Sequence, residues 1–396
     1  MRKLLKSYRT EIDPSLEQIE IIQKTVGVCR YVYNLYIARN QEVHEAGGKF
    51  ISGRDFSVWL NNEYIPSNPD KVWIKEVSSK SVKQSIMDAD AAYRKFFKHL
   101  AKFPRFKKKG ISDPNMYFVK TDKKAVIHCE RHRIKIPTLG WVKLKEKGYI
   151  PTTKSGKVIK SGAVSKQAGR YYVSVLVEEP NVIQPMPNAN GGIGIDLGIK
   201  NFAVLSNGDV YKNINKTAKI RKLEKKLRRE QRSLSRKYEA RKKTNNENKE
   251  GGSYSNIAKQ KLEVQKLHQR ISNIRTDYIN KCISETVKTK PSYITIEDLN
   301  VKGMMKNRHL SKAVAGQKFY EYRTKLTAKC SSENIELRIV DRWYPSSRMC
   351  HNCKSIKKEL KLSDRVYRCP VCGAVIDRDY QASLNLRDAK VYNIAT

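Results

Sequence analysis

The sequence predicts a multidomain α/β protein: an N-terminal helical domain, a small antiparallel β domain, and an α/β domain that ends in a zinc ribbon and a last helix. Three observations carry this expectation. Apolar residues at helical spacing give way near residue 115 to period-two alternation. A glycine-rich apolar strand opens a second domain at about residue 191, after a proline-bearing stretch. Two CxxC pairs, Cys350/Cys353 and Cys369/Cys372, stand just before an acidic helix start at Asp377-Arg378-Asp379.

Residues 1–10 read as a short basic strand, and Asp13-Pro14 as the N-cap and first residue of a helix. Leu16, Ile19, Ile22, Val26 and Cys29 recur at helical spacing, and the helix runs on into Arg30-Tyr31-Val32-Tyr33-Asn34. A second helical pattern covers 81–100, with Phe96 and Phe97 among Arg94, Lys95, Lys98 and His99, and breaks at Phe103-Pro104-Arg105-Phe106. Residues 11–102 are therefore expected to be a helical domain. From about 115 to 178, Ile134 and Ile136, Trp141 and Val142, and Val173, Val175 and Val177 mark short strands separated by Gly and Pro, as in a small antiparallel barrel. That β domain spans 103–182 with 1–10 as its opening strand, and 183–190 is a linker.

The α/β domain is expected at 191–345, with strands at 193–199 and 202–205 joined tightly. A helical hairpin follows at 214–290, its helices at about 214–243 and 255–290. Ile220, Leu223, Leu227 and Leu234 mark the apolar seam of the first helix; Leu267, Ile271, Ile274 and Tyr278 mark that of the second. The polar stretch 244–253 is a flexible turn between them. The residues leave two readings open, a solvated charged hairpin or a basic arm against nucleic acid. A strand at 293–296, a helix near 311–332, a strand at 335–340, the ribbon at 346–376 and a final segment at 377–396 complete the chain.

Each CxxC pair makes a tight knuckle, and the loop between them can bring Cys350, Cys353, Cys369 and Cys372 onto one tetrahedral structural Zn2+. Two disulfides or four unrelated thiols are the alternatives. Cys29, Cys129, Cys282 and Cys330 stand alone, which argues against an oxidised scaffold and for a reducing, cytoplasmic location. His351 lies inside the first knuckle, but four cysteines suffice, and it is expected to be exposed.

The 396 residues include 80 Lys and Arg against 39 Asp and Glu, a formal charge of +41. So large an excess, spread along the chain, calls for a polyanionic partner. No run of eighteen apolar residues occurs and the N-terminus lacks a signal-peptide core, so a membrane partner is not expected. With 21 Tyr and 9 Phe among the basic residues, extended nucleic acid is favoured: phosphates take the charge and rings can stack on bases.

Three acidic residues stand where folding does not need them. In Gly192-Ile193-Gly194-Ile195-Asp196-Leu197-Gly198, the apolar residues fall on one strand face, and Asp196 shares the other with glycines. Those glycines leave room beside Asp196 for a backbone or a metal. Glu297 ends the β-rich run Tyr293-Ile294-Thr295-Ile296, where open α/β sheets present ligand-binding groups. Asp298, on the opposite side of that strand, is read as a bystander. Asp377 suits an N-cap, and Asp379 shares a helical face with Ala382 and Ser383, small residues that would let the helix approach the sheet. Asp196, Glu297 and Asp379 could cluster only around cations, since like charges a few Å apart otherwise force protonation. Oxygen-only ligands favour Mg2+ or Mn2+, typically two ions about 3.5–4 Å apart, for phosphodiester hydrolysis.

Together these residues resemble a RuvC-type nuclease of the RNase H fold, with Asp on the first strand, Glu on the fourth and Asp on the last helix. More closely, the chain resembles the TnpB family of transposon-encoded RNA-guided nucleases, relatives of miniature type V CRISPR effectors. The likeness covers nearly the whole chain. It rests on Arg30-Tyr31-Val32-Tyr33-Asn34, the basic run from Phe103 to Lys109, the strand from Gly194 to Ala203, and Ile296-Glu297-Asp298-Leu299. It also rests on the stretch from Tyr344-Pro345 through Cys350 and Asp379 to Asn385. One departure is Gln381, where many relatives have Asn.

The resemblance implies a catalytic, Mg2+-binding triad of Asp196, Glu297 and Asp379, and zinc on the four cysteines. It further implies a helical recognition domain and a β-barrel wedge domain gripping a guide RNA and a short motif flanking the target. The expected partners are a guide RNA and double- and single-stranded target DNA, with no protein oligomer required. Candidate contacts are Arg30, Lys80, Lys83, Gln84, Arg105, Lys107, Lys108 and Lys109, although a solvated helical face explains any one of the helix residues as well. The principal expectation is an RNA-guided DNA endonuclease. The alternatives are a nuclease-inactive RNA-guided DNA-binding protein or repressor, a miniature type V CRISPR effector, and a strand-transfer transposase or junction resolvase of the same fold.

Overall fold

Strand β1 (Lys3–Asp13) runs through the middle of the N-terminal unit's sheet, paired on one side with β6 (Arg170–Pro180) and on the other with β4 (Gly140–Leu144). With β2 (Met116–Val119), β3 (Arg133–Ile136) and β5 (Val158–Gln167) the order is β2-β5-β6-β1-β4-β3, antiparallel throughout. The computed structural model describes residues 3–120, 127–180, 191–246, 254–360 and 364–395. The chain divides into units Met1–Asn181 and Val182–Thr396. The expected linker at 183–190, and 247–253 of the expected polar turn, lie outside the described residues.

The first helix begins later than expected. Asp13 is still in the ladder, opposite Lys143, so it cannot cap a helix. Ser15 caps α1 (Leu16–Glu45) instead: its hydroxyl accepts from the Gln18 amide, and the Gln18 side chain accepts from the Ser15 amide. One end of α1 packs Ile22 into the sheet's core, while Val28, Val32, Tyr33, Tyr36 and Ile37 enter a second core. That core also takes residues from α2 (Gly53–Trp59), a π turn at Leu60–Tyr64, α3 (Ile65–Ser67), a 3-10 stretch at Pro69–Glu76 and α4 (Ser79–Phe97). Tyr33 is core, and Tyr31 is half-buried with its hydroxyl against that of Tyr64 at 2.7 Å. Asp90, inside this core, accepts from the Tyr36 hydroxyl, the Gly53 amide and the Arg94 guanidinium, so its charge is fully partnered.

The C-terminal unit is built on a mixed sheet. Strands β7 (Ile193–Leu197), β8 (Asn201–Leu205) and β9 (Val210–Lys212) form an antiparallel meander. β10 (Tyr293–Glu297) lies parallel to β7, β11 (Glu336–Val340) parallel to β10, and the two-residue β14 (Asn393–Ile394) closes the edge antiparallel. The order is thus β9-β8-β7-β10-β11-β14. Between β9 and β10 rises the hairpin of α5 (Ala218–Asn246) and α6 (Tyr254–Lys288), joined by a narrow seam of Ile220, Leu223, Leu227, Val264, Leu267 and Ile271. The base of α6 covers one sheet face with Ile279, Cys282 and Ile283.

After the short α7 (Val301–Lys306), the single helix expected near 311–332 is two, α8 (Ser311–Gln317) and α9 (Phe319–Glu333). Lys318 between them has φ 54°, a left-handed conformation that ends the first ladder. Its ammonium is held by the Ser272 and Thr276 hydroxyls and the Glu321 carboxylate.

The other sheet face is covered by α10 (Arg378–Arg387), which follows a two-stranded ribbon of β12 (Val366–Arg368) and β13 (Val375–Asp377). α10 crosses β7 so closely that a Cβ on Gly194 would lie 1.9 Å from the Ser383 carbonyl oxygen and 2.4 Å from the Arg387 amide. Both obstacles are backbone, so nothing but glycine fits there. Gly192, on the same face, lies against the Tyr293 ring.

Gly194→Ala should therefore push the helix off the sheet and destabilise the protein by about 1–3 kcal/mol, read as a lowered melting temperature. Gly191→Ala, where nothing lies within 4 Å of the added carbon, should leave it unchanged. Equal stability of the two variants would refute the close approach.

Candidate functional site

Asp196 lies on β7 with its side chain on the α10 face, away from the core that holds Ile193 and Ile195. β10 pairs Ile294 with Ile193, Thr295 with Gly194 and Ile296 with Ile195. One residue further along that register, Glu297 stands abreast of Asp196 on the same face. The third carboxylate arrives on α10. Asp377 is the N-cap, accepting from the Asp379 and Tyr380 amides at 3.0 Å each, as expected from the sequence. Asp379 sits one turn before Ser383, the residue that touches Gly194, and its charge is felt at Asp196.

The electrostatics describe a site short of positive charge. Burial, then the Asp379 and Glu297 carboxylates, push the Asp196 carboxyl up to about 8, against the pull of Arg378. Burial, then the charge of Asp298, raises Glu297 to about 7. Two guanidiniums lie against Asp379: Arg378 Nη2 is 3.3 Å from Oδ1 and Arg365 Nη1 is 3.9 Å from Oδ2. Asp298 is a clamp rather than part of this group. Burial opposes its ionisation, but Arg342 and Arg323, at 2.7 and 2.5 Å, outweigh that and hold its carboxyl below its ordinary range.

The cysteines meet more tightly than the carboxylates. Among the described residues, Cys350, Cys353, Cys369 and Cys372 form the only group of three or more metal-ligating side chains whose ligand atoms all lie within 4.8 Å of one another. Cys350 and Cys372 Sγ are 3.6 Å apart, and Cys353 and Cys369 Sγ 3.5 Å. A disulfide requires about 2.05 Å. Sulfurs at the corners of a zinc tetrahedron with 2.3 Å bonds would be about 3.8 Å apart, close to what is found. Amides of Cys372 and Val371 point at Cys369 Sγ at 3.5 and 3.4 Å, and these, the Cys372 amide first, with the Ser355 hydroxyl, bring its thiol down to about 5. The donor set fits Zn2+. His351 is part-buried, not exposed as expected, and its Nδ1 lies 3.8 Å from an Asp388 carboxylate oxygen.

Side chains of α10 tie the ribbon to the sheet. Asn385 is fully buried and donates from Nδ2 to the carbonyls of Ser346 and Met349 at 2.8 and 2.7 Å, on the approach to Cys350. Gln381, also fully buried, accepts from the His351 amide at 3.4 Å. Neither role was visible beforehand, because each joins side chain to backbone across some thirty residues of sequence. Arg365 carried no signal either; only the strand pairing of β12 and β13 brings it beside Asp379.

The candidate nucleic-acid contacts divide. Lys80, Lys83, Arg105, Lys108 and Lys109 are exposed. Arg30 is taken by Asp113 at 2.5 Å, and Gln84 donates to Asp88 at 2.8 Å. The Lys107 backbone is clamped by the Asn34 amide, whose nitrogen donates to the Lys107 carbonyl and whose oxygen accepts from the Lys107 amide. The Lys107 ammonium lies 4.5 Å from the Tyr33 ring centre. The hairpin presents an open groove lined by Lys219, Lys222, Lys226, Arg229, Arg232 and Arg270 among others. No helix of the described residues is long and apolar enough to cross a membrane.

Residues 172–308 match the family described as "Probable transposase", OrfB of IS605, and residues 319–386 match the Cas12f1-like TNB domain. Residues 1–49 match the OrfB helix-turn-helix domain, although here that stretch is strand β1 and one unbroken helix. The chain is 32% identical over 401 residues to "Putative RNA-guided DNA endonuclease InsQ" of Escherichia coli K12, covering 97% of this chain and 92% of that one. It is 28% identical to "Putative RNA-guided DNA endonuclease" of Streptomyces pristinaespiralis, over 98% of this chain and 89% of that one. In fold it is similar to the Cas12f1 chain of a Cas12f1–sgRNA–target DNA complex, with TM-score 0.55 and 12% identity, over 99% of this chain and 100% of that one. A mixed α/β chain with this coverage and identity belongs to the TnpB family, the OrfB proteins of IS605-type elements.

Proposed function

We propose that this protein is a transposon-encoded, RNA-guided DNA endonuclease that hydrolyses target phosphodiesters with two divalent cations at Asp196, Glu297 and Asp379. The observation that carries the reading is the meeting of three chain segments at one sheet end: β7, β10 and α10 each contribute one carboxylate to the same face. The raised carboxyls of Asp196 and Glu297 support it, since cations would supply the missing charge. The strand order, with an antiparallel meander beside two parallel strands, supports an RNase H-like, RuvC-type domain. The names of the curated relatives agree with the activity.

Each residue has a distinct task. Asp196 and Glu297, fixed on adjacent strands, offer the rigid half of the ligand set, and Asp379 completes it from the helix. When bound, Mg2+ or Mn2+ supplies Lewis acidity for in-line displacement at phosphorus. Arg365 and Arg378, beside the Asp379 carboxylate, bring positive charge to the place where phosphate charge must be neutralised. Zn2+ on the four cysteines closes the ribbon, and Gln381 and Asn385 pass its rigidity to the helix that carries Asp379. The basic groove of the hairpin suits a phosphate backbone. The helical region from α1 to α4 is assigned to recognition, and the sheet of β1–β6 to a wedge against guide RNA and the motif flanking the target. Intact carboxylates at all three positions favour cutting over binding alone.

The protein purified with its RNA should cut matching DNA in Mg2+, and Asp196→Asn, Glu297→Gln or Asp379→Asn should each lower the rate on the order of 10³-fold or more while the RNA is retained. Undiminished cutting by any of them would overturn the triad. Guided binding without scission by the wild type in Mg2+ or Mn2+ would overturn the endonuclease reading.

Acid–base linkage gives a second test. A carboxyl whose folded value is raised contributes stability while protonated and loses it as pH rises through that value. For Asp196 and Glu297 the loss falls between about pH 4 and pH 8. In chelator this contribution to the melting temperature should fall across that window, and Mg2+ should raise the melting temperature more near pH 8 than near pH 5. An equal Mg2+ effect at both, or one retained in Asp196→Asn, would contradict the assignment.

Zinc content gives a third. Elemental analysis should find one zinc per chain, lost with stability in Cys369→Ser. A zinc-free chain that melts and cuts like the wild type would refute the ribbon's role.

A further inference from the structure

The C-terminal end of α4 breaks the rule that large rings go inside. Phe50 and Phe97 are 40% and 52% exposed, Phe103 is 42% exposed and Phe106 48%. Apart from Phe106, these are not scattered residues. Phe50, Tyr93, Phe96, Phe97 and Phe103 form one cluster with ring centres 5.1–5.9 Å apart. The backbone builds it deliberately. His99 has φ 56°, its amide donates to Phe96 and the Leu100 amide to Lys95, so the chain reverses and brings Phe103 back onto Phe96 and Tyr93. The Asn34 clamp on the Lys107 backbone then fixes the far end of the segment.

Charge says what such a surface would meet. Residues 91–112 contain no Asp or Glu, while Lys95, Lys98, Lys102 and Arg105 are all exposed there. A protein partner or a second copy would have to present a matching acidic, apolar face. This chain carries 80 basic against 39 acidic residues, which makes a second copy a poor complement. Rings among lysines are the composition that binds bases by their faces and phosphates by their charge. Within 94–109 no side chain bears a hydroxyl, amide or carboxylate, so the exposed His99 ring is the one side-chain acceptor this stretch offers to a ribose 2′-hydroxyl.

We infer that the Phe50–Phe97–Phe103 surface is a stacking platform for unpaired bases of single-stranded DNA. The inference rests on the endonuclease reading for its purpose: opening a duplex for guided pairing releases a single strand, whose exposed bases this surface would hold.

The test uses the full-length, RNA-loaded protein carrying Asp196→Asn, in chelator, so that DNA is not consumed. Binding of a fluorescent thymidine 20-mer is compared with that of an abasic strand of the same length and charge, and with the uridine RNA 20-mer. Phe97→Ala should weaken thymidine-strand binding roughly tenfold, and Phe50→Ala/Phe97→Ala further, with abasic binding unchanged. Phe97→Trp should keep or strengthen it, while Phe97→Leu, which preserves apolar packing, should not rescue it. An equal loss on the abasic strand, a loss confined to RNA, or full rescue by Leu would overturn the platform. So would concentration-dependent dimerisation that Phe97→Ala abolishes without touching DNA binding. Because binding is read without cleavage, an absence of cutting by the wild type would sink the endonuclease reading alone.

Discussion

The contact on which the C-terminal unit depends is backbone against backbone: the Ser383 carbonyl and Arg387 amide of α10 resting on Gly194 of β7. No side chain can be inserted there, so the height of the helix above the sheet is set by van der Waals contact and not by adjustable packing. Asp379 is carried on the same rigid helix one turn away. Its position relative to Asp196 and Glu297 is therefore inherited from a distance that has no slack. Sites assembled from three separate segments need this, because errors of about 1 Å in ligand placement are costly in catalysis.

The ribbon supports that contact from the other end. Four cysteines fold a stretch that has little core of its own, chiefly Tyr367 and the two buried cysteines. Asn385 and Gln381 then bind this stretch to α10 through its backbone. Such buried amides are demanding, since Gln381 Nε2 and Asn385 Oδ1 have no protein partner while their other ends are engaged. Their burial shows that the junction is specified by geometry more than by hydrophobic area. A four-cysteine cluster can in this way steady a helix whose carboxylate it does not touch.

Much of this was legible in the sequence, for physical reasons that differ by element. The alternation of glycine and isoleucine around Asp196 revealed a strand with one empty face, but not that a helix backbone fills it. The N-cap chemistry of Asp377 and the CxxC spacing are local and transfer directly to structure. Asp13-Pro14 misled because proline at a helix start is a local preference, and strand pairing with Lys143 outweighed it. The break at Lys318 was hidden because two of the three groups that hold its ammonium, Ser272 and Thr276, lie 46 and 42 residues away in sequence, and only Glu321 is near. Arg365, Gln381 and the Asn385 bonds belong to the same class: polar contacts made by topology leave no periodic signal. The aromatic surface at the end of α4 was read from sequence as ordinary helix residues, because exposure itself cannot be counted from spacing.

The central claim is that Asp196, Glu297 and Asp379 bind divalent cations together. Anomalous diffraction from crystals soaked in Mn2+ measures this most directly. The account predicts two anomalous peaks bounded by those three carboxylates, both lost in Asp196→Asn, with the zinc peak at the four cysteines undisturbed. Manganese bound elsewhere, or a wild-type site without a peak under conditions in which the protein cuts DNA, would contradict it.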